Sequence, residues 1–185
     1  HKEYRRQRQM CIRDRTLIAH SFFVRDDQLD QYKSNKIIAQ FMSNHIWMYG
    51  DVYKNILGEE RASAMVPLQW ALTKGLRFGI HNDTPSSGPS ALFTVWSAVN
   101  RKTYGGDTLG PDQRIDPYTA LRGFTSVPAY QYKEEMLKGS IAVGKLADMV
   151  VLDRNPLKVD PTDIKDIHVM RTIKGGKELY VRPRP

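Results

Sequence analysis

Segments with the apolar pattern of a strand alternate with segments that have the pattern of a helix along the first half of the chain. Residues 16–24 (TLIAHSFFV) are apolar except for a histidine and a serine, which is typical of a buried strand. Asp26 and Asp27 are suited to a helix amino terminus, and residues 27–33 predict a short helix. Residues 36–50 are rich in isoleucine and aromatic residues and predict a second strand, with His45 near its carboxyl end.

The middle of the chain continues this alternation. Residues 58–75 have acidic residues at the start and glycine at the end, as a helix does, and Pro67 is expected to kink or split that helix. Residues 76–85 predict a short strand that runs into a polar turn. Residues 90–106, ended by Gly-Gly, and 117–132, opened by proline, predict two further helices. The order predicts βαβ units, an α/β fold and a parallel sheet.

The pattern changes after residue 133. Residues 149–152 form a β-branched run, and residues 167–181 predict two short strands joined by a Gly-Gly turn. We therefore divide the chain into a basic leader (1–15), an α/β segment (16–135) and a small β segment (136–185).

Composition narrows the class of protein. The 185 residues are 41% hydrophobic and 26% charged, as in globular domains. A single cysteine excludes an internal disulfide, and no apolar run approaches the roughly 20 residues of a membrane span. No signal peptide is visible. We expect a cytoplasmic chain with no membrane partner.

The net charge of +8 is concentrated at the amino terminus. Residues 1–15 hold six Lys or Arg against two acidic residues, a net +4. A basic arm of this kind is one form of nucleic-acid-binding module. The stretch has one aromatic residue, no glycine and no recognised motif after it, so we expect no nucleic-acid partner. The alternative is a disordered or foreign leader.

Three candidate side chains share a placement at strand ends. His20 and His45 lie late in the first two predicted strands, and Asp83 follows the third. The carboxyl ends of parallel strands converge on one face of a sheet, where sites are built. Two imidazoles and a carboxylate suit Zn²⁺ or a similar divalent metal, and the carboxylate could take a proton from water. The pattern favours hydrolytic chemistry.

Four segments carry a resemblance to a known family. Residues 78–89 (FGIHNDTPSSGP), 98–103, 119–130 and 139–157 (GSIAVGKLADMVVLDRNPL) closely resemble the C-terminal part of the metal-dependent amidohydrolase superfamily, of the amidohydrolase-3 (YtcJ-like) type. The resemblance extends over residues 16–180.

This resemblance implies a fold and a parent protein. Residues 16–135 would be the last three or four βα units of a TIM (β/α)8 barrel, and residues 136–185 part of a small β-sandwich. Such a barrel needs about 250 residues, so the chain is expected to be the C-terminal fragment of a longer enzyme. The family's first metal motif, His-x-His, is absent from the chain. The isolated fragment is therefore expected to be inactive.

The resemblance also implies roles for the three candidates. His20 and His45 match the metal-ligating histidines of barrel strands five and six. Asp83 matches the strand-eight aspartate, which contacts the metal and shuttles the proton of the attacking water. The implied activity is hydrolysis of non-peptide C–N bonds in a small amide or cyclic amide, with a divalent metal, by expectation Zn²⁺. Two alternatives stay open, a non-catalytic binding relative of the fold and a basic nucleic-acid-binding module through residues 1–15. A homo-oligomer also stays open.

Other polar residues receive weaker interpretations. His81 is expected to point to the opposite side if the strand continues, which makes it the weaker metal candidate, and a structural or substrate-side role is favoured. Arg61 and Arg101 each offer a planar fork of donors for a substrate carboxylate or carbonyl, or for salt bridges between segments. Asp148 and Asp153 belong to the β segment and are interpreted as structural.

Overall fold

A computed structural model describes residues 15–183, whose strands form two three-stranded sheets. The first sheet is parallel and has the order β1 (Leu17–Ile18), β2 (Ile38–Phe41), β3 (Phe78–Ile80). The second is antiparallel and has the order β4 (Met149–Leu152), β5 (Val169–Lys174), β6 (Lys177–Val181). The predicted α/β class and parallel sheet are confirmed.

Seven α-helices among the described residues connect these strands. They are α1 (Asp26–Ser34), α2 (Asn44–Leu57), α3 (Glu59–Ser63), α4 (Leu68–Thr73), α5 (Ala91–Asn100), α6 (Pro117–Phe124) and α7 (Ser126–Gln131). Short 3₁₀ helices occupy Pro111–Gln113 and Pro161–Asp166. Between residues 15 and 183, no helix has both the length and the apolar character that crossing a membrane requires.

The core lies between the parallel sheet and its helices. Phe41 of β2 is fully buried and belongs to one apolar cluster with Leu29 of α1, Ile46 of α2 and Val95 of α5. Burying side chains of this size contributes about 1.5–3 kcal/mol each, so this cluster is the main force that holds the strand ends in place.

Two predicted strands are longer in the sequence pattern than in the structure. The strand over 16–24 ends at Ile18, because His20 and Ser21 have positive φ angles of 63° and 38°. The strand over 36–50 ends at Phe41, and the prediction that His45 lies on it is wrong because α2 begins at Asn44. Apolar composition alone does not separate a buried strand from a buried helix.

Two predicted helices also end earlier than expected. The helix over 90–106 stops at Asn100, because Arg101 takes a left-handed conformation with φ 54°. The helix over 117–132 is divided at Thr125, where Pro128 lacks the N–H that would continue the ladder to Phe124. The predicted break at Pro67 is confirmed.

The C-terminal β segment packs against the α/β part. The predicted hairpin is confirmed, with Gly175 and Gly176 at positive φ in its turn. Ile164 is fully buried in the common core, and the side-chain amide of Asn100 donates to the Pro161 carbonyl at 2.8 Å. The boundary at residue 136 stays a prediction, since the two parts share a core.

Residues 1–14 lie outside the described part of the chain, and with them almost all of the predicted leader. Its last residue, Arg15, forms two hydrogen bonds to the Glu135 carboxylate at 2.7 and 2.9 Å. The Arg15 guanidinium also lies 3.8 Å from the centre of the Tyr130 ring. Arg15 therefore packs against the folded part of the chain.

Candidate metal centre

Three potential metal ligands meet at the carboxyl end of the parallel sheet. His20 lies two residues after β1, and His81 and Asp83 follow β3. One ligand atom from each of these three lies within 4.8 Å of the others. A hydrogen bond of 3.2 Å joins His20 Nδ1 and His81 Nε2. We call His20, His81 and Asp83 the central cluster.

His45 lies beside the central cluster on the first turn of α2. Its ring centre is 5.9 Å from that of His20, with the planes tilted by 53°. Its ring also contacts Phe22 edge-on at 4.4 Å. Within the described residues, the buried Nδ1 of His45 has no hydrogen-bond partner. A buried ring nitrogen without a partner is costly, so His45 Nδ1 is available to a polar group of a bound molecule.

Positive φ angles place two of the central side chains. His20 has φ 63° and Asp83 has φ 52°, both in the left-handed region that residues other than glycine rarely adopt. The Ser21 hydroxyl donates to the Ile18 carbonyl at 3.1 Å and ties the turn back to β1. Unusual backbone of this kind is concentrated at functional sites, where the surrounding structure maintains it.

A chain of hydrogen bonds joins the Asp83 loop to the start of α2. The side-chain amide of Asn44 donates to the Ser87 hydroxyl at 2.8 Å, and that hydroxyl donates to the Asn82 carbonyl. The Ser86 N–H donates to the Asp83 carbonyl at 2.7 Å. Asn44 is 1% exposed. Neither Asn44 nor Ser87 carries a signal in the sequence pattern, because their roles depend on a contact between distant segments.

Two histidines of the site, His45 and His81, favour their neutral form. Burial, followed by the nearby His20 and His81, lowers the pKa of His45 to about 4. Burial and His20 also lower the pKa of His81, while Asp83 opposes the shift. Metal ligation requires an unprotonated imidazole nitrogen, so at neutral pH these side chains suit a divalent metal. The donor set of His20, His81 and Asp83 fits such an ion.

The low pKa of His45 predicts a pH-dependent stability of the metal-free chain. Between pH 6.5, the ordinary pKa of histidine, and pH 4, the unfolded chain binds more protons than the folded chain. Stability is therefore complete above pH 6.5 and is lost as the pH falls towards 4. We expect a loss on the order of 1–2 kcal/mol, reduced by solvent screening because the ring is only half-buried.

Urea unfolding in the presence of a chelator measures this loss. The matched variant is His45→Gln, which lacks the titrating group and should lose less stability over the same pH range. Equal losses in the two chains would assign the effect to other groups.

Arg101 does not face the cluster as a substrate-binding residue would. Its side chain is fully buried, and all three guanidinium nitrogens donate to backbone carbonyls. Nε donates to Leu109 at 2.7 Å and Nη1 to Val66 at 3.0 Å, while Nη2 donates to Ser63 at 3.3 Å and Met65 at 2.8 Å. The structure therefore gives Arg101 a structural role in place of the predicted contact with substrate.

The other predicted polar residues lie in separate parts of the chain. Arg61 is exposed on α3 and lines a surface cavity of about 370 Å³ with Trp70. The Asp148 carboxylate accepts the Gly175 N–H at 2.8 Å, and that of Asp153 accepts the His168 N–H at 2.9 Å. These two aspartates fix turns of the β segment, as the structural interpretation predicts.

The expectation that His81 points away from the other candidates is wrong. His81 extends β3 by one residue, and the turn at Asp83, with φ 52°, brings the Asp83 carboxylate to the same side as the His81 ring. The His81 N–H donates to the Phe41 carbonyl at 2.9 Å, which continues the strand pairing by one residue. Its ring stacks on that of His20 at 4.9 Å.

Four aromatic side chains form a surface beside the site that we call the aromatic wall: Phe22, Phe23, Tyr49 and Tyr53. Phe22 contacts His45, and both Phe22 and Phe23 meet Tyr53 edge-on at 5.2 Å. Tyr49 contacts His45 at 5.5 Å. Phe23 and Tyr49 are 40% and 41% exposed. An apolar surface with exposed ring faces therefore lies directly beside the imidazoles.

Comparisons with known proteins bear on this site. The sequence model of the Amidohydrolase family matches residues 2–180. An N-substituted formamide deformylase of Arthrobacter pascens is 32% identical over 135 residues, which are 72% of this chain and 25% of that protein. The Bacillus subtilis protein YtcJ is 26% identical over 127 residues, 67% of this chain and 24% of that protein.

A solved structure shows the same likeness in three dimensions. An uncharacterised metal-dependent hydrolase from Pyrococcus horikoshii superposes with a TM-score of 0.66 at 29% identity, over 78% of this chain and 30% of that one. The chain thus spans about a quarter of the length of the curated relatives it matches.

Proposed function

The chain belongs to the amidohydrolase family, and on that premise we propose that it forms part of a metal-dependent hydrolase of non-peptide C–N bonds. The observation that carries this proposal is the central cluster: two imidazole nitrogens and a carboxylate oxygen within 4.8 Å at the carboxyl end of a parallel sheet. This is the position at which barrel enzymes build their sites.

We propose that the parallel strands belong to a (β/α)8 barrel and that β4 to β6 belong to an accompanying β-sandwich. The chain spans a quarter of its curated relatives, so the whole enzyme would include a further segment that supplies the remaining strands. On its own, the 185-residue chain should then hydrolyse its substrate slowly or not at all.

In this proposal His20 and Asp83 hold a divalent metal together with the neighbouring histidines. Imidazole and carboxylate ligands suit zinc among several divalent ions. When bound, the metal would polarise the substrate carbonyl and make water a better nucleophile.

The remaining chemistry falls to Asp83. Its half-buried carboxylate lies beside the imidazoles of His20 and His81 and can accept a proton from the attacking water at one oxygen. The same oxygen can then donate that proton to the departing amine nitrogen. The hydrogen bonds from Asn44 through Ser87 to Asn82 hold the loop that carries this carboxylate, so they fix the position of the proton acceptor.

The aromatic wall supports a substrate with an apolar substituent. The deformylase relative acts, by its name, on N-substituted formamides. A formamide binds through a small carbonyl group, and its N-substituent would extend onto Phe22, Phe23 and Tyr49. Aromatic faces of this kind bind apolar groups through buried area and ring contacts.

Metal content provides the test of the proposed function. The purified chain is loaded with zinc and then dialysed. It is expected to retain about one metal ion per chain, because the imidazole and carboxylate ligands of the central cluster already lie close together. The triple variant His20→Ala/His45→Ala/Asp83→Ala is expected to retain none. Elemental analysis of both chains gives the ratio.

The matched control is His168→Ala. It removes a histidine that pairs with Asp153 in the β segment, so metal content should not change. Equal metal content in the wild-type and triple-variant chains would contradict the proposed site. Metal binding in a longer protein that hydrolyses no amide would favour the alternative of a binding relative.

A further inference from the structure

The backbone at the end of β3 determines where the His81 side chain projects. Ile80 is 2% exposed and packs into the core on the helix side of the sheet. The His81 N–H bonds to the Phe41 carbonyl at 2.9 Å, so strand geometry continues through His81. Successive side chains of a strand point to opposite faces, so the His81 ring projects on the face away from that core.

The following turn brings Asp83 to the same place. Asp83 has φ 52°, and its carbonyl accepts the N–H groups of Ser86 and Ser87 at 2.7 and 3.4 Å. The Asn82 side-chain amide donates to the Gly88 carbonyl at 3.3 Å. This closed loop holds a carboxylate oxygen of Asp83 within 4.8 Å of ligand nitrogens on both His20 and His81.

The two imidazoles face each other with their nitrogens at a ligand spacing. His20 Nδ1 and His81 Nε2 form a hydrogen bond of 3.2 Å in the metal-free chain, and the rings are inclined by 27°. In a tetrahedral zinc site with bonds of 2.0–2.1 Å, neighbouring nitrogens lie about 3.3–3.4 Å apart. His45 is not in the 4.8 Å set, and its ring centre lies 5.9 Å from that of His20.

We propose that His81 is a metal ligand of this site through Nε2, with His20 Nδ1 and a carboxylate oxygen of Asp83 as its partners. The inference rests on the proposed function and replaces the ligand set expected from the sequence, in which His81 was only the weaker metal candidate. His45 then lies at the rim of the metal site, against the aromatic wall.

Zinc affinity of the full 185-residue chain tests this assignment. Competition with a chromophoric chelator at pH 7.5 gives the zinc Kd of the wild-type, His20→Ala, His81→Ala and His45→Ala chains. Loss of an outer-shell partner alone weakens metal sites by about 10–100-fold, so His20→Ala and His81→Ala should each weaken binding by about 100-fold or more. His45→Ala should change the Kd by less than about 10-fold.

A second readout requires no substitution. Long-range ¹H–¹⁵N correlation spectra of the wild-type chain report each imidazole nitrogen, and zinc should shift Nε2 of His81 and Nδ1 of His20. The urea midpoint of each variant establishes that it is folded, and His168→Ala serves as the unaffected control.

The possible results separate the two proposals. Zinc binding with an unshifted His81 resonance and an unchanged Kd for His81→Ala overturns the His81 assignment and leaves the proposed function intact. An absence of zinc binding in the wild-type chain overturns both for this chain. A shifted His81 resonance together with a weakened His81→Ala chain supports both.

Discussion

Substitution of Arg101 by methionine is expected to lower the free energy of unfolding by about 3–5 kcal/mol. The guanidinium is fully buried and donates to the carbonyls of Ser63, Met65, Val66 and Leu109. Methionine fills much of the volume but cannot donate to any of these four carbonyls, of which that of Val66 keeps the Leu68 N–H at 2.9 Å. A domain of this size has only about 5–15 kcal/mol of net stability.

The effect should reach the metal centre through the backbone. Arg101 organises the turn between α3 and α4, where Val66 has φ 50°. The Val66 N–H in turn donates to the Phe22 carbonyl at 2.8 Å, next to the His20 loop. Zinc affinity of the Arg101→Met chain should therefore fall together with its stability.

Urea unfolding measures the loss, and Arg61→Met is the matched control. Arg61 is exposed on α3, so its replacement should change stability by less than about 0.5 kcal/mol. Arg101→Lys retains the charge on a single nitrogen that cannot serve all four carbonyls, and an intermediate loss is expected. Similar losses of unfolding free energy for Arg101→Met and Arg61→Met would show that the hydrogen bonds of the buried Arg101 guanidinium do not stabilise the chain.

Replacing Asp83 by asparagine is expected to reduce amide hydrolysis by about 10²–10⁴-fold in the longer protein that this chain is proposed to belong to. Asparagine has the same shape as aspartate and can occupy the same loop. Its amide has no carboxylate oxygen to accept a proton from water, so the loss should appear in kcat. The assay measures hydrolysis of an N-substituted formamide with an aromatic substituent through the amount of amine released.

The control for this experiment is Asp148→Asn. Asp148 accepts the Gly175 N–H in the β segment, away from the central cluster, and its replacement should leave kcat within about threefold. Metal content measured on the same samples separates a lost proton acceptor from a lost ligand. An Asp83→Asn enzyme with wild-type kcat and full metal content would remove Asp83 from the proton transfer.

The sequence predicted those elements that local signals define. The helix after residue 26, the break at Pro67 and the Gly175-Gly176 hairpin follow from charge placement, proline and glycine, and each is present. The boundary between β2 and α2 was not predictable in this way. The apolar residues on both sides of it are buried, and burial erases the alternation that separates strand from helix.

By itself, the sequence determined the family, the α/β class and the identity of His20 and Asp83 as candidates for one site. These depend on residue types in fixed local order, which a sequence records directly. Only the tertiary structure decided that His81 joins them, that His45 stands on a helix at the rim, and that Arg101 is bound to four carbonyls. These depend largely on contacts between distant segments, such as His20 with His81, 61 residues apart, and Arg101 with Val66, 35 residues apart. Strand register and backbone angles that residue type alone does not reveal set these contacts.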